Sequence, residues 1–132
     1  MQDLSVLQAK RYGTFSCHNH ATLLDAARRM ADEDISALVV TDGEGCLAGI
    51  ITRTDLVRAH QARADWAIQT VGDYMSRPVV TVTPQHKLSQ VAELLIEKQI
   101  HRVVVVQEES GKQRPVGVVS SADLVYHMAK ES

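Results

Sequence analysis

The sequence has few of the groups that grip a polyanion and no run long enough to cross a bilayer. One Trp, three Tyr and one Phe are its aromatic residues, and 14 Lys and Arg stand against 16 Asp and Glu, for a formal net charge of -2. That balance gives no general attraction to phosphate backbones and little surface for stacking bases, so nucleic acid is not an expected partner. No apolar stretch approaches the roughly 18 to 20 residues that span a membrane, and the N-terminal residues lack the basic-then-apolar order of a signal peptide. The chain is therefore expected to be cytoplasmic, without a membrane partner. Its two cysteines, Cys17 and Cys46, are too few for a disulfide framework or a four-thiolate zinc site. With 132 residues, and roughly 100 to 200 residues per domain, a second full-sized catalytic domain does not fit. What remains is an ordinary soluble composition, 45% hydrophobic and 23% charged, able to bury a core.

An internal repeat organises that composition. Gly49-Ile50-Ile51-Thr52-Arg53-Thr54-Asp55-Leu56-Val57 returns 68 residues later as Gly117-Val118-Val119-Ser120-Ser121-Ala122-Asp123-Leu124-Val125. Upstream, Leu23, Ala27, Met30 and Ile35 return as Leu88, Ala92, Leu95 and Ile100 at an offset of 65. The second copy thus carries three extra residues, placed in the polar stretch 108–115 and expected to form a surface turn. Each copy reads as strand, helix, strand, strand, helix. The first has a helix over 22–33, strands over 37–41 and 47–52 and a helix from Arg53. The second has a strand over 81–83, a helix over 87–98, strands over 103–106 and 116–120 and a helix through Asp123, Leu124 and His127. One copy alone is too small to hide both faces of its sheet, so the two are expected to share a core in an α+β fold with pseudo-twofold symmetry. The expected boundaries are 1–62 for the first repeat with its N-terminal extension, 63–70 for a linker containing Trp66, and 71–132 for the second.

Two copies of a β-branched run followed by G-h-h-[ST]-x-x-D-[LI] resemble a tandem pair of CBS domains, a Bateman module. The resemblance runs from about Gly13 to Met128. It implies a non-enzymatic regulatory module that needs no cofactor. Such a module binds AMP, ADP, ATP or S-adenosylmethionine in clefts between its repeats and acts through a homodimer or an effector protein. Asp55 and Asp123 are then placed as acceptors for ribose hydroxyls, and Thr52 and Ser120 as phosphate-facing groups at a helix start. Ile100-His101-Arg102-Val103 is similar to a stretch in the gamma subunit of AMP-activated protein kinase whose His and Arg reach phosphates; the first copy has Ile35-Ser36-Ala37-Leu38 there. One cleft would combine Val118, Ser120, Asp123, His101 and Arg102 with Ile35 and the strand from Gly13 to Phe15. The other would combine Ile50, Thr52 and Asp55 with Pro78, Val80 and Ile100. The Asp123 cleft is expected to hold phosphate better.

Other signals point to chemistry less strongly. Cys17-His18-Asn19-His20 offers three metal ligands but no second cluster, and no metal is expected. Cys46 falls in a turn, His60, His86 and His127 stand near helix ends as solvated side chains, and Arg28 and Arg29 are expected on an open helix face. Asp and Ser or Thr at a helix start are also ordinary caps, so the site residues have a structural reading beside the functional one. Leu56, Val57, Leu124, Val125 and Met128 are candidates for an apolar dimer surface.

Overall fold

The computed structural model describes residues 3–9 and 16–130. A short helix α1 (Val6–Ala9) precedes the first repeat: β1 (Ser16–His18), α2 (Leu23–Glu33), β2 (Ala37–Thr41), β3 (Leu47–Thr52) and α3 (Arg53–Ala62). After a 3-10 turn at Trp66–Ile68, a second short helix α4 (Val71–Tyr74) precedes β4 (Thr81–Val82), α5 (Leu88–Glu97), β5 (Arg102–Glu109), β6 (Lys112–Ser120) and α6 (Ser121–Lys130). Each repeat forms its own three-stranded sheet, ordered β1-β2-β3 and β4-β5-β6, with the first pair parallel and the second antiparallel. This is the α+β order read from the sequence.

The local reasons are repeated too. Thr22 caps α2 by accepting a hydrogen bond from the Asp25 N–H at 3.1 Å, and Leu23, Ala26 and Met30 then bury one stripe of that helix. Leu88, Val91 and Leu95 do the same on α5. Both helices end in a left-handed residue, Asp34 (φ 51°) and Gln99 (φ 53°). There the N–H groups of Ile35 and Ile100 return to Met30 and Leu95 carbonyls, each at 3.1 Å. The β-branched runs of β2 and β5 are buried on both faces: Val39 and Val40, like Val103 and Val104, are at most 1% exposed.

Two expectations change. The polar stretch 108–115 is not a loop: β5 and β6 extend through it to the pair Glu109–Lys112. Ser110 (φ 53°) and Gly111 (φ 77°) make a two-residue turn whose twist matches the strands, so the extra residues lengthen the hairpin. Within the segment 63–70, Trp66 packs against the first repeat's core. Leu56 and Leu124 are only 8% and 7% exposed and face their own cores, leaving Val57, Val125 and Met128 outside at 61%, 59% and 53%.

The packing units also differ from the sequence repeats. The chain divides between Val79 and Val80, and the N-terminal segment belongs with the second repeat rather than the first. Val6 and Leu7 donate backbone hydrogen bonds to His86 and Pro84 carbonyls, and Leu88 donates to Leu4. In the other unit Val71 and Gly72 donate to Ala21 and Asn19, and Leu23 donates to Gln69. Every partner in the first set maps onto the second at an offset of 65. Each repeat is thus completed by the short helix preceding the other, with Val6 (1% exposed) and Val71 (0%) each sealing the core of its own unit, where a single shared core was expected. The cause is backbone satisfaction as much as burial: residues 4–7 and 69–72 find partners for N–H and C=O groups that the three-stranded units leave open.

Candidate functional site

The glycine motif ends in the same construction in both repeats. In the first, the Asp55 carboxylate Oδ2 accepts from the Thr52 N–H at 2.9 Å and its hydroxyl at 3.0 Å, while the Asp55 N–H donates back to Thr52 Oγ1 at 3.3 Å. In the second, Asp123 Oδ2 accepts from the Ser120 N–H at 2.8 Å and its hydroxyl at 3.1 Å, and the Asp123 N–H donates to Ser120 Oγ at 3.3 Å. These are reciprocal capping boxes, fixed by the three-residue spacing. The capping role weighed for these residues is therefore realised, and each carboxylate is fixed at the first turn of a helix, where the dipole favours anions.

Around the second pair the antiparallel register sets Arg102 opposite Ser120 and Val104 opposite Val118. The Ser121 N–H donates to the His101 carbonyl at 2.9 Å, so His101 and Arg102 border the α6 start. Arg102 is half-buried, and that burial lowers its guanidinium below the ordinary arginine value; at neutral pH it remains a cation. His101 is exposed. The equivalent register in the first repeat pairs Ala37 with Thr52, and the Arg53 N–H donates to the Ser36 carbonyl at 3.1 Å. No cation stands at those two positions, in line with the sequence.

Of the remaining expected site residues, Ile35, Ile50 and Pro78 belong to the first-repeat unit, while Val80, Ile100 and Val118 belong to the second. Ile50 lies on β3, two residues before Thr52, and Pro78 follows a cis bond from Arg77. The Val80 carbonyl accepts from the Val104 N–H at 3.1 Å, which starts β4 beside β5. The expected strand from Gly13 to Phe15 lies outside the described residues.

Ser76 went unnoticed in the sequence. Its hydroxyl lies 3.2 and 3.3 Å from the two Asp55 carboxylate oxygens. Its backbone pairs with Ile50 in both directions, Ser76 N–H to Ile50 O at 2.7 Å and Ile50 N–H to Ser76 O at 3.1 Å. Gly49 makes this possible: a Cβ there would come within 2.6 Å of Met75 Sδ and 3.0 Å of the Ser76 carbonyl. No short sequence pattern marks it, since Ser76 and Asp55 lie 21 residues apart in the chain.

The weaker signals also resolve. Among the described residues, Cys17, His18 and His20 do not converge as metal ligands; the one such group is Asp42, Glu44 and Cys46 in the β2–β3 turn. Cys46 is buried rather than exposed, and burial raises the Cys17 thiol above its usual range. The histidines are more engaged than expected: His86 Nδ1 accepts from the Thr83 N–H at 2.9 Å, His127 Nε2 lies 3.1 Å from the Ala9 carbonyl, and the His60 ring meets Trp66 at 5.3 Å. Arg29 is not on an open face but donates to the Ser16 carbonyl at the start of β1.

This geometry agrees with the family comparison. The CBS domain model matches residues 13–62 and 71–130, and the chain belongs to that family. The CBS domain pair of protein MJ0100, solved in complex with 5′-methylthioadenosine and S-adenosyl-L-methionine, is 25% identical with a TM-score of 0.85, covering 98% of this chain and 99% of that one. Hypoxic response protein 1 of Mycobacterium tuberculosis is 29% identical over 114 residues, 86% of this chain and 77% of its own length. Inosine-5'-monophosphate dehydrogenase of Nitrosopumilus maritimus is also 29% identical over 90% of this chain, but the chain spans only 24% of that enzyme. No helix among the described residues is long and apolar enough to cross a membrane.

Proposed function

We propose that the chain is a regulatory module that binds an adenosine-containing ligand, AMP, ADP, ATP or S-adenosylmethionine, and signals by favouring one conformation. The observation that carries this reading is the Ser120–Asp123 pair with Arg102 registered opposite Ser120. A carboxylate at a helix start can accept ribose hydroxyls, and a guanidinium beside it matches phosphate geometry. The ligands of the MJ0100 domain pair support the adenosyl class. We assign Asp55, Thr52, Ile50 and Pro78 to the corresponding first-repeat site, and His101 and Val118 to the Ser120–Asp123 site. A bound ligand would transmit only its differential affinity for two states, through a homodimer or an effector protein. Turnover is not part of the reading.

Calorimetric titration with AMP, ATP, S-adenosylmethionine and NAD tests this directly. Binding of an adenosyl compound with no ADP or adenosine released from ATP is the expected result. A ligand at one hundred times its Kd should stabilise the fold by about 2.7 kcal/mol. No thermal shift with any of them at millimolar concentration would instead support a structural homodimerisation module, for which Val57 on α3 and Val125 and Met128 on α6 supply exposed apolar side chains.

A further inference from the structure

Asp55 is buried at 8% exposure, yet the side chain that closes over its carboxylate, Ser76, is exposed. Two of the hydrogen bonds on Oδ2 come from Thr52 and hold the start of α3, so they cannot be surrendered without fraying the helix. The Ser76 hydroxyl is different. It sits almost equally far from both oxygens, 3.2 Å from Oδ1 and 3.3 Å from Oδ2. It occupies the position from which the vicinal hydroxyls of a ribose would donate, one to each oxygen. The Ser76 backbone is pinned to Ile50 by two hydrogen bonds, so the segment cannot withdraw without breaking that pairing. The side chain can withdraw: rotation about one χ angle swings the hydroxyl into solvent, where water replaces the lost partner.

We infer that Ser76 is a specificity-determining residue of the first-repeat site, holding the Asp55 carboxylate in place of a ribose until a vicinal diol displaces it. The inference rests on the proposed role of Asp55 as ribose acceptor. The Ser76 hydroxyl gives Oδ1 of a buried carboxylate a hydrogen-bond partner. It also makes the site selective. A ligand with a single hydroxyl exchanges one hydrogen bond for another, whereas a diol gains one.

The test isolates this site with Asp123→Asn, which weakens the other ribose acceptor while leaving a side-chain oxygen for Ser120. AMP is titrated calorimetrically into that chain with Ser76 intact, with Ser76→Ala, with Ser76→Thr and with Asp55→Ala, and each melting temperature is recorded without ligand. Ser76→Ala should bind AMP on the order of tenfold more tightly, the equivalent of one hydrogen bond no longer displaced, while melting lower than its parent. Ser76→Thr keeps the hydroxyl and should match the parent. If Ser76→Ala does not fold, Ser76→Cys, a weaker donor of similar size, should show a smaller gain in the same direction. Unchanged or weaker AMP binding in Ser76→Ala, with binding abolished by Asp55→Ala, overturns the role of Ser76 and leaves Asp55 as acceptor. Binding unaffected by Asp55→Ala, or absent from every variant while the wild-type chain binds, overturns both.

Discussion

The Thr52–Asp55 and Ser120–Asp123 junctions have the same three internal hydrogen bonds, matching within 0.1 Å (2.9, 3.0 and 3.3 Å against 2.8, 3.1 and 3.3 Å). Their surroundings differ. Asp55 is buried beneath Ser76 with Ala37 registered opposite Thr52, whereas Asp123 is half-buried with Arg102 opposite Ser120. A three-residue spacing is enough to build the cap, because all its partners lie within one helical turn. Whether the carboxylate then serves a ligand depends on side chains delivered from elsewhere in the chain. Duplicated motifs therefore do not have duplicated surroundings.

The largest expected effect tests what the two repeats share. Val6→Asp and Val71→Asp each place a carboxylate without a designed partner in a sealed core, at a cost on the order of 3 to 5 kcal/mol. Urea unfolding should show both variants strongly destabilised to a similar degree. A tolerated Val6→Asp beside a disabled Val71→Asp would mean that the exchanged helices are not equivalent.

A smaller change separates the junctions by ligand. Asp123→Ala should weaken the tight site ten- to hundredfold, about 1.5 to 3 kcal/mol for one charged hydrogen bond, and Arg102→Ala should weaken ATP more than adenosine. Asp55→Ala should leave that tight site nearly intact. Titrations of all three with both ligands, after circular dichroism has shown each to be folded, would reverse the assignment if Asp55→Ala abolished tight binding and the other two did not.

The smallest effect concerns the exchanged segments again. The Ser89 N–H donates to Asp3 Oδ1 at 3.1 Å, and hydrogen bonding from Ser89 holds the Asp3 carboxyl below its usual value. A carboxyl depressed in the folded state contributes stability above its unfolded pKa and loses it as pH falls through the folded one. Asp3→Asn should therefore melt slightly below wild type at neutral pH, with the gap closing in acid below the ordinary Asp range. The residue at the matching position ahead of the second repeat is Ile68, so the first-repeat unit should show no such component. A gap that persists unchanged to pH 2 would remove Asp3 from the comparison.

Much of the fold was legible because it is written in local patterns. The bounds of β2 and β3 coincide with the sequence reading, while α2 differs from it by one residue at its start and α5 by one residue at each end. Amphipathic stripes of 3.6 period and unbroken β-branched runs carry that information within a dozen residues. The helices α1 and α4 were not legible, since four residues are too few to show a period. The lengthened β5–β6 hairpin was missed because its polar residues read as loop when the Ser110-Gly111 turn is not considered. Leu56 and Leu124 were read as surface because a helix's apolar residues do not say which neighbour they face.

The sequence by itself determined the duplication, the α+β order, the capping pair in each copy and the placement of a cation beside only one of them. Each follows from residue type and short spacing. Only the tertiary structure decided that each repeat is closed by the segment preceding the other, and that Ser76 lies on Asp55, 21 residues away in the chain. Those contacts pay the entropy of closing long loops, and the return comes from cores and backbone groups that no short window of sequence contains.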